Sequence, residues 1–444
     1  MRKPIGIRKE VKSEWERRTP LTPIQVKTLI EKYEVPVYIQ PSEIRAFSDE
    51  EYQKAGAFVQ DDLSAADVIL SVKEMPAYHI EKGKTYINFS HVIKGQHYNM
   101  PSLKKYLELE TNLIDYEKIT DEQGRRLIFF GRFAGLAGMI DTLWAFGKKL
   151  QIEGIENPFT DILQTYHYGT LKEAEKSLRK VGERITAEGL DSRIVPLVIG
   201  FAGYGNVSKG SQEIVDFLPV IEISPEELLE LRSCSDVSNK HIYKVVFKEE
   251  HTVEPIDSSA GFDLKDYFVN PEKYKGQFEK YVPHMHILIN AIFWTDKNPR
   301  LITRNLMQEL YREKKSETHL RVVGDISIDI EGAIEFTKYA TQPSNPVYVY
   351  NPEKDEVVSG FEEDGVLVLA VDNLPCELAA ESSEYFGSVL LSYIPKILDA
   401  LSSSEFSHHT FPPEIRRALI TFKGELMPDY TYLDHYLKNF NDSL

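Results

Sequence analysis

Short apolar runs alternate with amphipathic stretches along the first part of the chain. "PIGIRKEV", "PVYIQ", "ADVILSVK", "KTYINFSH" and "NLIDYEKI" have the length and composition of strands. Between them, "TPIQVKTLIEKY", "SDEEYQKAG" and "MPSLKKYLELE" place apolar residues at helical spacing, with Thr22 available to cap the first. Strands that alternate with helices predict a mainly parallel sheet covered on both faces. Residues 131–150, "GRFAGLAGMIDTLWAFGKKL", change the pattern, because small and large apolar residues mix over a helical length. This predicts a helix that lies close against another element. A polar helix, "TLKEAEKSLRKVGERITAEG", follows. Next comes the clearest strand–turn–helix–strand unit, "RIVPLVIGFAGYGNVSKGSQEIVDFLPVIEIS". "RVVGDISID", "PVYVYN" and "GVLVLAVDNLP" predict further strands, and the segment from about Glu377, including "PEIRRALITF", reads as mostly helical.

With 444 residues, two domains are expected. The fold class is α/β: two Rossmann-like domains with parallel sheets and a cleft between them. A dinucleotide-binding domain (129–378) is inserted between the halves of a discontinuous substrate domain (1–128 and 379–444). A net charge of −17 argues against a nucleic-acid partner, which would require an excess of Lys and Arg. Two cysteines fit a reducing compartment, no metal-ligand spacing occurs, and no apolar run reaches membrane-spanning length. With no signal-like apolar core near the start, the expected location is cytoplasmic.

The candidate chemistry begins at Gly203-Tyr204-Gly205-Asn206-Val207-Ser208. The first glycine permits a tight turn, the second lets backbone approach a pyrophosphate, and the helix that follows presents free N–H groups. Ser208 takes the place of the usual third glycine. It is small and carries a hydroxyl that would donate to phosphate, while Gly210 would share the packing role. In the next strand, Glu222 and Ser224 are candidates for reading the adenosine ribose. An acid there favours the 2′-hydroxyl of NAD, whereas serine with Arg232 or Lys209 nearby tolerates the 2′-phosphate of NADP. The strand register leaves both open.

Four polar residues of the first domain stand at strand ends or before a helix. Lys73, His91 and Glu117 end successive apolar strands, and Arg18 lies in "ERRTPLTP". In parallel sheets ligands gather at carboxyl ends of strands. A lysine and a histidine there suit proton transfer to a carbonyl, carbinolamine or imine, and an arginine suits a carboxylate. Asp325 and Asp329 of "GDISID" are further strand-end candidates.

"IGIRKEVKSEWERRTPLTP", "SVKEMP" and "INFSHVIKGQ" resemble the alanine dehydrogenase and saccharopine dehydrogenase superfamily. "LIDYEKITDEQGRRL", "GYGNVSKGSQ", "NPRLITR", "GDISIDIEGAIEF" and "DNLPCELAAESSEYFG" more closely resemble the lysine–ketoglutarate reductase half of bifunctional aminoadipic semialdehyde synthase. The resemblance implies that L-lysine condenses with 2-oxoglutarate and that the imine is reduced to saccharopine. NADP(H) is the favoured cofactor and NAD(H) the alternative. The alternative activity is a lysine-forming saccharopine dehydrogenase or another opine-type reductive amination. By resemblance Lys73 and His91 are the catalytic pair, Arg18 and Arg126 bind carboxylates, and Glu74 and Glu117 tune the lysine and histidine. Lys94 and Asp329 match further site residues, and Asn373 and Leu374 lie where the chain crosses back between domains. A homo-oligomer is expected, together with a separate saccharopine-cleaving enzyme.

Overall fold

The computed structural model describes residues 2–234, 236–314, 318–403 and 406–441. In chain order the first strands are β1 (Ile5–Ile7), β2 (Val37–Ile39), β3 (Phe58–Val59), β4 (Val68–Leu70), β5 (Thr85–Asn88) and β6 (Asn112–Asp115). There follow β7 (Leu197–Ala202), β8 (Val220–Glu222), β9 (Ile242–Phe247), β10 (Val253–Pro255), β11 (Tyr274–Gly276) and β12 (Ile287–Asn290). The last are β13 (Val322–Asp325), β14 (Val347–Asn351), β15 (Glu356–Ser359), β16 (Val366–Leu369), β17 (Leu419–Phe422) and β18 (Glu425–Leu426). The helices used below are α1 (Pro23–Tyr33), α2 (Asp49–Lys54), α3 (Met100–Glu108), α4 (Gly131–Ile152), α5 (Leu171–Glu188), α6 (Asn206–Val215) and α7 (Pro225–Glu230). The chain divides into two compact units, one built from residues 1–130 and 379–444, the other from the inserted residues 131–378.

The sheet of the first unit has the order β18-β17-β6-β5-β4-β1-β2-β3. Strands β1 to β6 pair in parallel, β17 pairs antiparallel to β6, and β18 forms the edge. Its core joins Ile5, Val37, Val68, Ile87 and Ile114 to Phe386, Leu390 and Ile397 of the C-terminal helices. Helix α1 starts where the sequence signals it. Thr22 and Gln25 form a reciprocal capping box, and Pro23 supplies a fixed φ in the first turn. "PEIRRALITF" is not helical throughout. The helix ends at Ala418, and Leu419–Phe422 become β17 because β6 offers a ladder and a buried face for this β-branched run.

The sheet of the second unit has the order β15-β14-β16-β13-β12-β7-β9-β8. Its strands are parallel except β14 and β15, so "PVYVYN" forms an antiparallel strand on β16 and not a parallel one. The strand beside β7 is β9, not β8. A central position needs an apolar strand, and β9 buries nearly its whole length, whereas β8 is three residues with two exposed.

Helix α4 is buried over most of its circumference, and its small residues are there for contact. A Cβ on Gly135 would lie 1.9 Å from the Val207 carbonyl oxygen, and one on Gly210 would lie 2.2 Å from that of Arg132. The small stripe of α4 therefore seats α6 at backbone distance. Ser211 completes the seam by donating from Oγ to the Gly135 carbonyl at 3.0 Å.

Two carboxyls are also buried here. Asp141 of α4 accepts from the Thr165 amide at 2.7 Å, and Glu377 accepts from the Tyr166 amide at 3.3 Å. Their other oxygens, Asp141 Oδ2 and Glu377 Oε1, are buried without a partner among the described residues, and the two carboxyls act on each other, which favours one proton held between them. Burial raises both pKa values, that of Glu377 more strongly. The folded state thus holds more protons than the unfolded chain above the ordinary carboxylate range, so the pair's stability falls as pH rises through the raised pKa values. Asp141→Asn supplies an amide proton to Glu377 at every pH. It is expected to raise Tm by about 2–4 °C at pH 8 and to leave it unchanged at pH 4. A calorimetric difference that is the same at both pH values would disprove the shared proton. Among the described residues, no helix is long and apolar enough to cross a membrane.

Candidate functional site

In the first unit, chemistry-bearing residues follow the carboxyl ends of the four adjacent strands β6, β5, β4 and β1. Lys73 and Glu74 come after β4, His91 after β5 and Glu117 after β6. The backbone of Lys73 is fixed at both ends. Its amide donates to Glu10 Oε2 at 3.1 Å, and its carbonyl accepts from Ser71 Oγ at 2.8 Å. Glu10 also accepts from the Val72 amide at 2.6 Å and is wholly buried, which raises its pKa to about 7. Glu74 pairs with Lys12 at 2.6 Å. Burial raises its carboxyl, but Lys12, a backbone amide and His91 together leave the pKa lowered.

His91 adopts a left-handed backbone conformation with φ 55°. Such a conformation is costly for a side-chain-bearing residue and persists only where its surroundings impose it. Asp115, the buried last residue of β6, imposes it. One carboxylate oxygen accepts from both the amide and hydroxyl of Ser90, and the other accepts from the Glu117 amide at 2.8 Å. A single buried side chain thereby sets the positions of His91 and Glu117 together. The imidazole Nδ1 lies 3.7 Å from Glu117 Oε2, and Arg126 binds the other oxygen. His91, then Arg126 and Lys94, hold the Glu117 carboxyl down at about 2 despite its partial burial.

Arg18 is placed differently from expectation. Its guanidinium is buried over the Phe130 ring at 4.2 Å, and its fork closes on Glu16 at 2.8 and 2.6 Å. To use this fork, a substrate carboxylate has to displace Glu16. Arg126 is half exposed and bonded to Glu117.

In the second unit the glycine loop ends β7. Gly203 has φ +95° and its amide donates to the Phe247 carbonyl at 3.0 Å, which ties the loop to the carboxyl end of β9. Gly205 is the N-cap of α6, and a Cβ there would meet nothing within 4 Å. Asn206 and Val207 open the helix with exposed or half-exposed positions. Ser208 is fully buried and its Oγ accepts from Gln212 at 3.0 Å, so its hydroxyl is turned inward and not offered to a phosphate. The loop borders a cavity of about 520 Å³ lined by Tyr204, Lys248, Glu249 and Thr252. Phe268 and Phe293 add exposed aromatic faces to its wall. These residues fit a dinucleotide: backbone at close approach, a helix N-terminus, and an apolar-walled pocket beside it.

Glu222 and Ser224 stand on and after β8, which β9 separates from β7. Glu222 lies opposite Lys244 in mid-strand and pairs with its ammonium at 3.0 Å. Ser224 caps α7 in a box with Glu227. The charge of Arg232 acts on His284, His286 and His319, which precede β12 and β13. The strand end beside the loop belongs instead to β9, where Lys248 and Glu249 follow, and Tyr204 donates from its hydroxyl to Glu249 at 3.2 Å. Asn373 and Leu374 line a second cavity of about 420 Å³ with Ser327 and Ile328, beyond the carboxyl ends of β13 and β16. Asp325 is buried and pinned by Asn290, Thr337 and the Ile328 amide, which makes it the anchor of this turn. Asp329 is half buried beyond it, its pKa raised by burial.

The N-terminal domain of alanine dehydrogenase/PNT matches residues 6–137, and the C-terminal domain matches residues 221–429. The chain belongs to the alanine dehydrogenase/PNT family. The glycine loop of this family member falls between the two matched stretches. The chain is 36% identical to alpha-aminoadipic semialdehyde synthase of Arabidopsis thaliana over 98% of its length and 42% of that protein's. It is equally similar to the mitochondrial synthase of Mus musculus, over 97% of its length and 48% of that protein's. It thus spans less than half the length of these curated relatives. It is 25% identical to saccharopine dehydrogenase [NAD(+), L-lysine-forming] of Emericella nidulans, over 89% of the chain and 92% of that enzyme. An L-alanine dehydrogenase structure shares the fold with a TM-score of 0.61 at 17% identity, covering 98% of the chain and 99% of its own. A transhydrogenase from Sinorhizobium meliloti does so with a TM-score of 0.56 at 15% identity, covering 95% of the chain and 99% of its own.

Five residues not singled out in the sequence lie beside the candidate positions: Glu10, Glu16, Asp115, Lys248 and Glu249. Asp115 had a readable signal, because an acid that closes an apolar strand, "NLID", needs buried partners. Lys248 and Glu249 are found only once β9 is known to lie beside β7.

Proposed function

We propose that the chain joins the ε-amine of L-lysine to the keto carbon of 2-oxoglutarate and reduces the resulting imine to saccharopine. A bound NAD(P)H supplies the hydride. The observation that carries this reading is the row of Lys73, His91 and Glu117 at the ends of three adjacent strands, within a chain similar to an alpha-aminoadipic semialdehyde synthase and, more distantly, to a lysine-forming saccharopine dehydrogenase. Carbinolamine formation needs a proton delivered to the carbonyl oxygen, and its loss as water needs a second. His91, beside an ionised Glu117, is suited to give these protons, and Lys73 on the neighbouring strand end is suited to take the proton released by the amine. The exposed turn of α6 and the cavity beside it hold the dinucleotide phosphates and adenosine.

Following NADPH and NADH oxidation by the purified chain, with 2-oxoglutarate and a panel of amines, tests the reading. Lysine-dependent oxidation is expected. Oxidation with another amine but none with lysine would replace the substrate while keeping the reaction class, and none with any amine would refute both.

The resemblance favours NADP(H), and the ribose end of the cavity carries one group for each cofactor. The Glu249 carboxylate rewards a free 2′-hydroxyl, and the Lys248 ammonium rewards a 2′-phosphate. Glu249→Ala is expected to raise the NADPH-to-NADH ratio of kcat/KM about tenfold, and Lys248→Ala to lower it by a similar factor. Unchanged ratios in both variants would remove these residues from ribose recognition.

A further inference from the structure

A second set of polar groups lies at the opposite end of the second sheet, where β7, β12 and β13 begin. From Val198 to the glycine loop, β7 rises roughly 17 Å. Arg232 sits on the short helical turn Leu231–Ser233. Its Nε and Nη2 are both buried and have no hydrogen-bond partner among the described residues. These two atoms form the side-on fork with which a guanidinium grips a planar oxyanion. Burial and then Arg321 lower the Arg232 pKa.

His286 is a second group of this kind, near enough for the Arg232 charge to act on its ring. It is fully buried just before β12, and its Nδ1 accepts from the Val198 amide at 3.3 Å. That bond places the ring proton on Nε2. This N–H is likewise buried without a partner among the described residues. The His319 ring is 5.4 Å away, centroid to centroid, and His284 and Arg321 complete the group. Arg321 is already engaged, with Glu153 at 2.8 Å and the His319 carbonyl at 3.2 Å. Among the described residues, three buried donors thus stand without acceptors, in a chain whose net charge is −17. Each would cost about 1–3 kcal/mol if it stayed unsatisfied.

We propose that the Arg232 fork and the His286 Nε2–H form a binding site for a small oxyanion, a carboxylate or a phosphate, at the edge of the sheet remote from the dinucleotide loop. It stands independently of the proposed reaction.

The test uses the full chain carrying Gly205→Asp, which places a carboxylate at the α6 N-terminus and silences phosphate binding there. Inorganic phosphate and acetate are titrated separately at constant ionic strength. Thermal unfolding and the ¹⁵N signals of the His286 and His319 rings are followed. Saturable shifts in both are expected with at least one anion, and the anion that acts identifies phosphate or carboxylate as the ligand. Adding Arg232→Leu is expected to abolish the response, and adding Arg232→Lys, which keeps the charge but loses the fork, to weaken it more than tenfold. No ring-signal shift with either anion would overturn the site, as would an equal response in the Arg232 variants. The ring signals decide the matter even if a variant fails to fold.

Discussion

Lys73→Met is expected to lower kcat for dinucleotide-dependent reduction by about 10²–10⁴-fold while Tm stays within a degree or two of the parent. The two outcomes separate because Glu10 and Ser71 hold the backbone of Lys73. Methionine keeps the unbranched shape of lysine and loses only the group that carries a proton. Steady-state kinetics across pH is the measurement. The variant's residual rate should follow a single proton-transfer group, and turnover equal to that of the parent would remove Lys73 from the chemistry. Glu10→Gln is a useful companion. Glutamine cannot accept both the Val72 and Lys73 amides with a full charge, so the loss should appear as displaced geometry at Lys73, smaller in size and accompanied by lower stability.

Gly203→Val is expected to weaken dinucleotide binding about 10–100-fold, or 1.4 kcal/mol per decade. Two independent causes act together. The φ of +95° lies where a Cβ is strained, and that Cβ would sit 2.8 Å from the Ala291 carbonyl oxygen. The loop must therefore shift and break its tie to Phe247. Gly205→Ala separates folding from ligand approach, because its φ of −75° suits any residue and a Cβ there meets no protein atom within 4 Å. It should leave Tm unchanged and still impair binding, since the added methyl stands where the pyrophosphate must approach. Titration of dinucleotide against intrinsic fluorescence, beside thermal unfolding, reads both effects. A Gly205→Ala protein that binds as the parent does would show that backbone approach at this glycine is not needed.

Much of this architecture was legible because local patterns and tertiary structure agree. The Thr22 cap, the alternation of apolar strands with amphipathic helices, and the small-residue stripe of α4 each have one physical solution. Lys73, His91 and Glu117 were legible for a related reason: a polar residue that ends an apolar strand marks the sheet edge where ligands gather. Three things were not legible. The strand Leu419–Phe422 depends on an edge that β6 offers from three hundred residues away in the chain. The Arg18 fork reads as available in sequence, because nothing local says that Glu16 folds back to fill it. The placement of β9 beside β7 is a matter of sheet order, which spacing along the chain does not encode. Ser208 was read as a phosphate donor on the strength of its chemistry, and its full burial in the first turn of α6 leaves it a packing residue.

The order β7-β9-β8 has a consequence for anyone transplanting cofactor choice. In a protein whose second strand neighbours its first, the glycine loop and the ribose reader travel together on about 20 residues of chain. Here the segment that joins Gly203 to Ser224 ends just past an outer strand, and with the ribose placed beside Lys248 and Glu249 as proposed, a graft of that segment would carry no preference at the ribose. The smallest portable cassette runs from Gly203 through Glu249. Within it, β8 and α7 form a removable loop between two functional ends, and this is where insertions should be tolerated without changing which dinucleotide the protein accepts.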